Sequence, residues 1–199
     1  GVESRPAKPA PPQLRRERQL QAAKKKSTPY IPGIVNLQVL GAGANGSPSA
    51  IYLFTDQARY LFNCGEGTQR LAHEHKTKLA RLEHIFVTRN TWPMVGGFPG
   101  LALTVQDAGV KEMALHGPPH LDSVLHSMKR FVVLKTLKVN TRDCTEQSDF
   151  EDTVMSVKYV PLYKQQPAAP DSIDAQNQMV VAYICRLKPR PGALNLVKC

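Results

Sequence analysis

The 199-residue sequence lacks several features that would assign a function directly. It has no apolar run near the ~18–20 residues needed to span a bilayer, which argues against a transmembrane protein. Its cysteines form no C-x-x-C pair, so the sequence predicts no dense disulfide framework. We expect the four thiols to be reduced and mostly buried; they are Cys64, Cys144, Cys185 and Cys199.

Common catalytic motifs are also absent. The sequence contains no G-x-S-x-G nucleophile elbow, no H-E-x-x-H zinc motif and no Walker loop. Cys64 and Cys144 have no nearby histidine motif that could activate them as nucleophiles. Aromatic residues make up 7% of the chain and mostly follow strand-like spacing, without an RNP-like pair on a basic sheet. An isolated catalytic activity therefore has little support in the sequence.

Acidic residues are scarce, with 16 Asp and Glu against 26 Lys and Arg, giving a net charge of +10. Residues 1–30 carry eight of the basic residues and only two Glu, a balance of +6. Four prolines between Arg5 and Pro12 favour extended backbone. We predict a basic, proline-rich, disordered tail over residues 1–30, with one domain over residues 31–199.

The tail has several possible roles. It could be a linker, part of an organellar targeting region, a nuclear-import patch or a phosphate-binding arm. Its candidate phosphate contacts are Lys24, Lys25 and Lys26.

The domain begins with a predicted antiparallel meander whose strands are Ile34–Leu40, Ala50–Phe54 and Arg59–Asn63. The segment Gly41–Gly46 matches G-x-G-x-x-G, but a strand follows it where a dinucleotide site would need a helix. We therefore interpret these glycines as a tight connection. Further on, strands alternate with helices, which predicts an α/β (α+β) fold with helices on sheets. The predicted helices run from Gly65 to about Lys78, from Gly97 to about Asp107 and over His120–Phe131, and the later strands are Met113–His116, Val154–Tyr163 and Gln178–Leu187.

The segment Leu82–Gly97 has the frame of a catalytic loop, in which a strand ends at Val87-Thr88 and a polar turn leads to Gly-Gly. This segment resembles the metallo-β-lactamase-fold nucleases, whose strand ends in Ser/Thr-His-x-His-x-Asp-His. The resemblance implies metallo-β-lactamase-like sheets flanked by helices, here degenerate and incomplete. Four metal-ligand positions of the pattern fall on Arg89, Thr91, Pro93 and Met94. Guanidinium has no free lone pair, proline has no side-chain donor and thioether is a poor zinc ligand, so we expect no metal or catalytic residue here.

Two further segments narrow the family. Val39–Gly43 and Tyr60–Leu71 resemble the opening of ribonuclease Z, the zinc phosphodiesterase that removes 3′ trailers from precursor tRNA. The active motif would read Asp-Cys-Gly-Glu-Gly-Thr, and Asn63 stands here in place of the Asp. The long form of that enzyme joins a degenerate amino-terminal half to a catalytic carboxy-terminal half. The sequence resembles the amino-terminal half of this family.

The resemblance also implies sites and partners. A Pro-Gly-Ala-Leu-Asn segment resembles the root of the flexible arm that grips tRNA; its residues are Pro191, Gly192, Ala193, Leu194 and Asn195. Lys188 and Arg190 beside it are further candidates for phosphate contact. Trp92 and Met94 are candidates for the surface between the two halves, or for core packing. The implied partners are precursor tRNA, the carboxy-terminal half and other tRNA-processing proteins, without a membrane.

For the whole protein, the resemblance implies a zinc-dependent endoribonuclease of the mitochondrion and nucleus, with the zinc in the carboxy-terminal half and none in this segment. Two alternatives stay open. The chain could be the inactive half of another β-lactamase-fold RNA nuclease, such as an mRNA 3′-end processing factor. It could also be a non-catalytic scaffold of the same fold that binds protein.

Overall fold

The computed structural model describes residues 33–44, 46–163 and 179–189. The described residues form two sheets and four helices. The strands are β1 (Val35–Ala42), β2 (Ser49–Thr55), β3 (Arg59–Phe62), β4 (Leu82–Phe86), β5 (Glu112–Gly117), β6 (Lys138–Asp143), β7 (Phe150–Glu151), β8 (Met155–Leu162) and β9 (Val180–Leu187). The helices are α1 (Thr68–Glu74), α2 (Trp92–Val95), α3 (Phe98–Asp107) and α4 (Leu121–Met128).

The larger sheet has six strands in the order β1-β2-β3-β4-β5-β6. Strands β1 to β3 are antiparallel neighbours, which confirms the predicted meander. Strands β3 to β6 run parallel, so their carboxyl ends meet at one edge of the sheet. This edge carries the loop that follows β4. The smaller sheet is antiparallel, in the order β7-β8-β9.

Alternation along the strands separates the buried side chains into two cores. Leu61, Ile85 and Leu115 pack in one core with residues of helices α1, α3 and α4. Tyr60 and Phe86, on the opposite face of the larger sheet, pack against residues of the smaller sheet. The protein therefore stacks helices on a mixed sheet and that sheet on a second sheet, which confirms the predicted α/β class.

A backbone hydrogen bond joins the second sheet to the end of β4. The Val181 amide of β9 donates to the carbonyl oxygen of Thr88 at 2.8 Å. The amide of Val181 is thus paired with the other sheet, and Val181 itself is fully buried.

Two predicted helices are shorter in the structure. The first ends at Glu74 rather than near Lys78, because Lys76 has a positive φ of 53° and the Thr77 amide bonds back to Ala72. The helix predicted over His120–Phe131 spans Leu121–Met128, since His120 has a left-handed φ of 67°. Helix α2 and strands β6 and β7 were not predicted. No helix among the described residues is long and apolar enough to cross a membrane.

Candidate functional site

The candidate site is the degenerate loop Val87–Gly97, at the carboxyl edge of the parallel strands. Asn63, which stands where the family motif has Asp, is buried and has a positive φ of 60°. Its side-chain oxygen accepts hydrogen bonds from the Thr88 amide at 2.8 Å and the Thr88 hydroxyl at 3.0 Å. Asn63 therefore caps the end of strand β4, because its side-chain oxygen accepts both hydrogen bonds from Thr88.

The one-turn helix α2 occupies the second part of the loop. Arg89 and Pro93 are exposed, Thr91 is half-buried, and Met94 is half-buried with its side chain packed on the helix-side core. Proline is accommodated at the second helical position because the first turn of a helix has no use for its missing N–H. The carbonyl oxygen of Met94 accepts from the Cys64 amide at 2.7 Å, which ties the helix to the end of β3.

Two glycines let the backbones of the loop and of the motif after β3 come together. A Cβ atom at Gly65 would lie 2.3 Å from the Pro93 carbonyl oxygen, and one at Gly97 would lie 2.0 Å from the Gly65 carbonyl oxygen. The Gly97 amide also donates to the Cys64 carbonyl oxygen at 2.9 Å. Close packing of the two backbones thus fills the space between the loop and the motif after β3.

The residues of this loop do not fit a zinc ion. The positions that the sequence pattern predicts for the ligands hold Arg89, Thr91, Pro93 and Met94, none of which supplies the imidazole, thiolate or carboxylate that zinc prefers. Within the described part of the chain, no three His, Cys, Asp or Glu side chains are grouped so that they could hold a metal ion.

Beneath the loop, two histidines and a tyrosine form a buried chain of hydrogen bonds. His84 Nδ1 lies 3.1 Å from His116 Nε2, and His116 Nδ1 lies 2.8 Å from the Tyr159 hydroxyl. Burial lowers the pKa of His84 to about 4, and burial with the neighbouring His84 lowers the pKa of His116 to about 3. Both imidazoles are therefore neutral near pH 7. The neutral His116 ring can donate at one nitrogen and accept at the other, so its bonds to His84 and Tyr159 need no charge.

Two more tyrosine hydroxyls connect the two sheets by hydrogen bonds. Tyr60 on β3 donates to Asp152 Oδ2 at 2.5 Å, and Tyr183 on β9 donates to the Val87 carbonyl oxygen at 2.6 Å. Burial raises the pKa of both tyrosines far above the usual range, so both remain protonated donors. These hydrogen bonds hold the smaller sheet against strands β3 and β4, beneath the loop.

Sequence reasoning missed this buried network. His84 and His116 lie in predicted strands, but a strand pattern does not say that both would face a second sheet. The parallel register that places His84 opposite Ala114 and Phe86 opposite His116 depends on strand order, which no local pattern reveals.

The thiols at the site are not poised for reaction. Cys64 is fully buried, and burial raises its pKa well above the usual range. Burial also raises the pKa of Cys144 to about 12. Both remain thiols at neutral pH, whereas a nucleophile needs the thiolate. Cys64, Cys144 and Cys185 are free, and only Cys185 of these three is exposed.

The structure places only part of the proposed RNA-contact set. Lys188 follows β9, and its ammonium group lies 2.9 Å from Glu151 Oε1. The other candidates lie outside the described residues; they are Lys24, Lys25, Lys26, Arg190 and the arm-root residues Pro191, Gly192, Ala193, Leu194 and Asn195.

Comparison with known proteins agrees with the motif after β3. The family model described as tRNase Z endonuclease matches residues 38–97, which contain both that motif and the degenerate loop. Mitochondrial ribonuclease Z of Drosophila melanogaster is 60% identical over 185 residues, or 93% of this chain. The chain belongs to the ribonuclease Z family. This assignment sets aside the alternative of a different β-lactamase-fold RNA nuclease.

More distant ribonuclease Z relatives match as well. Zinc phosphodiesterase ELAC protein 2 of Homo sapiens is 43% identical over 68% of the chain, and mitochondrial tRNase Z TRZ3 of Arabidopsis thaliana is 31% identical over 92%. The chain spans 23%, 16% and 22% of the fly, human and plant relatives. It therefore matches about a quarter or less of each of these proteins.

Solved structures show the fold of this ribonuclease Z segment. The long-form RNase Z from yeast aligns with a TM-score of 0.61 at 20% identity, covering 71% of this chain and 24% of that one. The short form of human tRNase Z aligns with a TM-score of 0.58 at 21% identity, covering 80% of this chain and 71% of that one. The Bacillus subtilis protein YhfI, a metallo-β-lactamase-fold protein, aligns with a TM-score of 0.52 at 11% identity. The chain thus has a metallo-β-lactamase-like fold.

Proposed function

We propose that this chain is the non-catalytic amino-terminal half of a long ribonuclease Z. In this role it supports the binding of precursor tRNA while the carboxy-terminal half of the same protein removes the 3′ trailer. The observation that carries the proposal is the loop after β4, whose four predicted ligand positions hold no zinc donor. Helix α2 and the Gly65–Gly97 contact fill the space between this loop and the motif after β3. The alternative of a protein-binding scaffold makes no use of RNA and is an outcome of the test below.

The hydrolytic chemistry belongs, in this proposal, to the carboxy-terminal half. Zinc in that half would supply an activated water and stabilise charge at the phosphate. The residues of this chain help to position the tRNA and supply no catalytic group, because the His84–His116–Tyr159 chain is neutral and the thiols of Cys64 and Cys144 are protonated. Asn63 keeps the loop closed by bonding Thr88.

Contact with RNA is proposed through the arm root Pro191–Asn195 and through basic side chains that precede β1 and follow β9 in the sequence. Lys24, Lys25 and Lys26 precede the domain, and Lys188 and Arg190 follow β9. Their attraction to phosphate would be independent of sequence and sensitive to salt. Other tRNA-processing proteins are possible further partners.

We also propose a mitochondrial and nuclear location. The fly and plant relatives are named as mitochondrial proteins, and the Arg- and Lys-rich residues 1–30 have the composition of a targeting region. The run Lys24-Lys25-Lys26 fits a nuclear-import patch.

The deciding experiment is cleavage of a 3′-extended precursor tRNA at fixed salt. The chain alone should release no trailer, with or without a chelator. Adding the carboxy-terminal half should produce chelator-sensitive cleavage that exceeds the rate of that half alone. The catalytic half alone serves as the control for zinc loading.

Three results would oppose the proposal. Chelator-sensitive cleavage by the chain alone would reveal a metal site and overturn its silent role. Equal rates with and without the chain would remove its supporting role. Failure of the chain to shift precursor tRNA in a binding assay at low salt, with normal docking to the other half, would favour the scaffold.

A further inference from the structure

Trp92 is the only tryptophan of the chain, and it is 63% exposed at the start of helix α2. Large aromatic side chains are usually buried, since each offers 150–250 Å² of surface. An exposed ring of this size offers a flat face on which a base can stack. In this loop the neighbouring side chain Met94 turns into the core, whereas Trp92 turns out.

The ring is held in place by contact with Gly96. A Cβ atom at Gly96 would lie 2.6 Å from Trp92 Cε2 and 2.8 Å from Cδ2, so the indole occupies the space that any other residue would need. The Gly96 amide also donates to the Trp92 carbonyl oxygen at 2.7 Å. The indole is thus exposed but fixed in position, so the binding of a ligand that stacks on it costs little conformational entropy.

The loop that carries Trp92 has a basic side chain and no acidic one, which favours a negatively charged ligand. Arg89 is exposed three residues before Trp92, and the loop Val87–Gly97 contains no Asp or Glu. The loop lies at the carboxyl edge of strands β3 to β6, the edge at which open α/β sheets bind ligands. An aromatic plane and a guanidinium on one exposed loop are the groups that single-stranded nucleic acids bind, by base stacking and phosphate contact.

We propose that Trp92 is a stacking platform for an unpaired base of single-stranded RNA, with Arg89 contacting the adjoining phosphate. The inference rests on the proposed function in that RNA is the ligand. It adds a contact site on the degenerate loop itself, apart from the arm root and the basic tail. A protein partner is the less favoured occupant, because Trp92 is the one large apolar side chain that the loop exposes, and the same loop exposes the guanidinium of Arg89.

The single tryptophan allows a direct test on the whole 199-residue chain. A short single-stranded oligoadenylate, added at low salt, should quench Trp92 emission in a saturable way. A matched oligonucleotide with abasic sugars keeps the phosphates and should bind more weakly without quenching. Fluorescence anisotropy of labelled RNA supplies the affinity independently of the indole.

Variants separate stacking from charge. Trp92→Ala should weaken oligoadenylate binding about 5- to 150-fold, which corresponds to the ~1–3 kcal/mol of one base stack. Trp92→Phe should retain part of the affinity, and Arg89→Gln should weaken binding while leaving the quench at saturation. Far-UV circular dichroism and the Tm of each variant establish that it is folded, and Trp92→Phe covers the case in which the alanine variant is not.

Several outcomes overturn the inference. They are the absence of oligoadenylate binding, saturable binding with unchanged Trp92 emission, and equal affinity for folded Trp92→Ala. A change of emission only when the carboxy-terminal half is added would identify the ring as a protein contact instead. None of these depends on cleavage: trailer release by the chain alone defeats the proposed function, whereas precursor tRNA binding without quenching defeats only the Trp92 site.

Discussion

Among single residues, Asn63 decides how strand β4 ends. Its side-chain oxygen is the acceptor for both the amide and the hydroxyl of Thr88, and its backbone has a left-handed φ. Asparagine suits both demands, because it tolerates this conformation better than most residues. A change that is small in the sequence, Asp to Asn, thus replaces a charged motif position with a neutral loop cap.

We expect Asn63→Ala to lower the free energy of unfolding by about 2–4 kcal/mol, since it leaves the Thr88 amide without its acceptor and places Cβ-bearing alanine at a positive φ. Asn63→Gly should cost less, because it removes only the hydrogen bonds. Asn63→Asp should stay within ~1 kcal/mol of the natural chain. Urea unfolding followed by circular dichroism measures all three. Equal stability of the alanine and aspartate variants would contradict the capping role.

His84 and His116 make stability depend on pH. Their folded pKa values, about 4 and about 3, lie below the ordinary value of 6.5. The unfolded chain therefore takes up protons first as the pH falls, so stability is fully present above about pH 6.5 and is lost as the pH falls to about 4 for His84 and to about 3 for His116. At pH about 5 the expected loss is roughly 2 kcal/mol for each histidine.

The control for this pH effect is His84→Gln, which keeps a hydrogen-bonding group toward His116 but does not titrate. Urea unfolding at pH about 7 and about 5 should show a loss of stability in the variant that is about half as large. An unchanged loss would place the pH dependence in other groups.

At the scale of elements, the contact between helix α2 and the motif after β3 depends on glycine. Gly97→Ala should lower the free energy of unfolding by about 1–3 kcal/mol, because its Cβ would meet the Gly65 carbonyl oxygen, a backbone atom that cannot rotate away. Gly100→Ala, inside helix α3, is the matched control: its Cβ would approach only the side-chain end of Gln69, at 3.2 Å. The control should remain within ~1 kcal/mol. Thermal or urea unfolding compares them, and similar losses would argue against the backbone contact.

Elements with a strong local pattern could be predicted from the sequence, and elements that depend on distant partners could not. Alternation predicted strands β1 and β8, and the segment from Gly97 to Gly100 predicted the start of helix α3. Helix α2 was missed because its four residues Trp92–Val95 are too short for a periodic signal. Strand β6 was missed because its sequence Lys138–Asp143 is polar and gains its place by pairing with β5. The loss of metal ligands in the loop stays a prediction from the motifs, and no motif indicated the histidine pair beneath the loop.

At the scale of the whole molecule, charge controls the proposed RNA contacts. Replacing Lys24, Lys25 and Lys26 by Gln should reduce the salt dependence of precursor tRNA binding, with the slope of log K against log salt concentration falling by about 2–3. Affinity measured at several salt concentrations gives the slope. Lys111→Gln, an exposed lysine outside the candidate set, should leave the slope unchanged. An unaltered slope in the triple variant would remove the tail from the RNA-binding surface.

Hydrogen exchange at the Val181 amide reports on the separation of the two sheets. The hydrogen bond of this amide runs to Thr88, across the junction, and not to β8, so unzipping of the β8–β9 ladder alone does not free it. Deuterium should enter at this amide only when the smaller sheet lifts away from the end of β4. The exchange rate of this one amide proton therefore measures how often the two sheets separate.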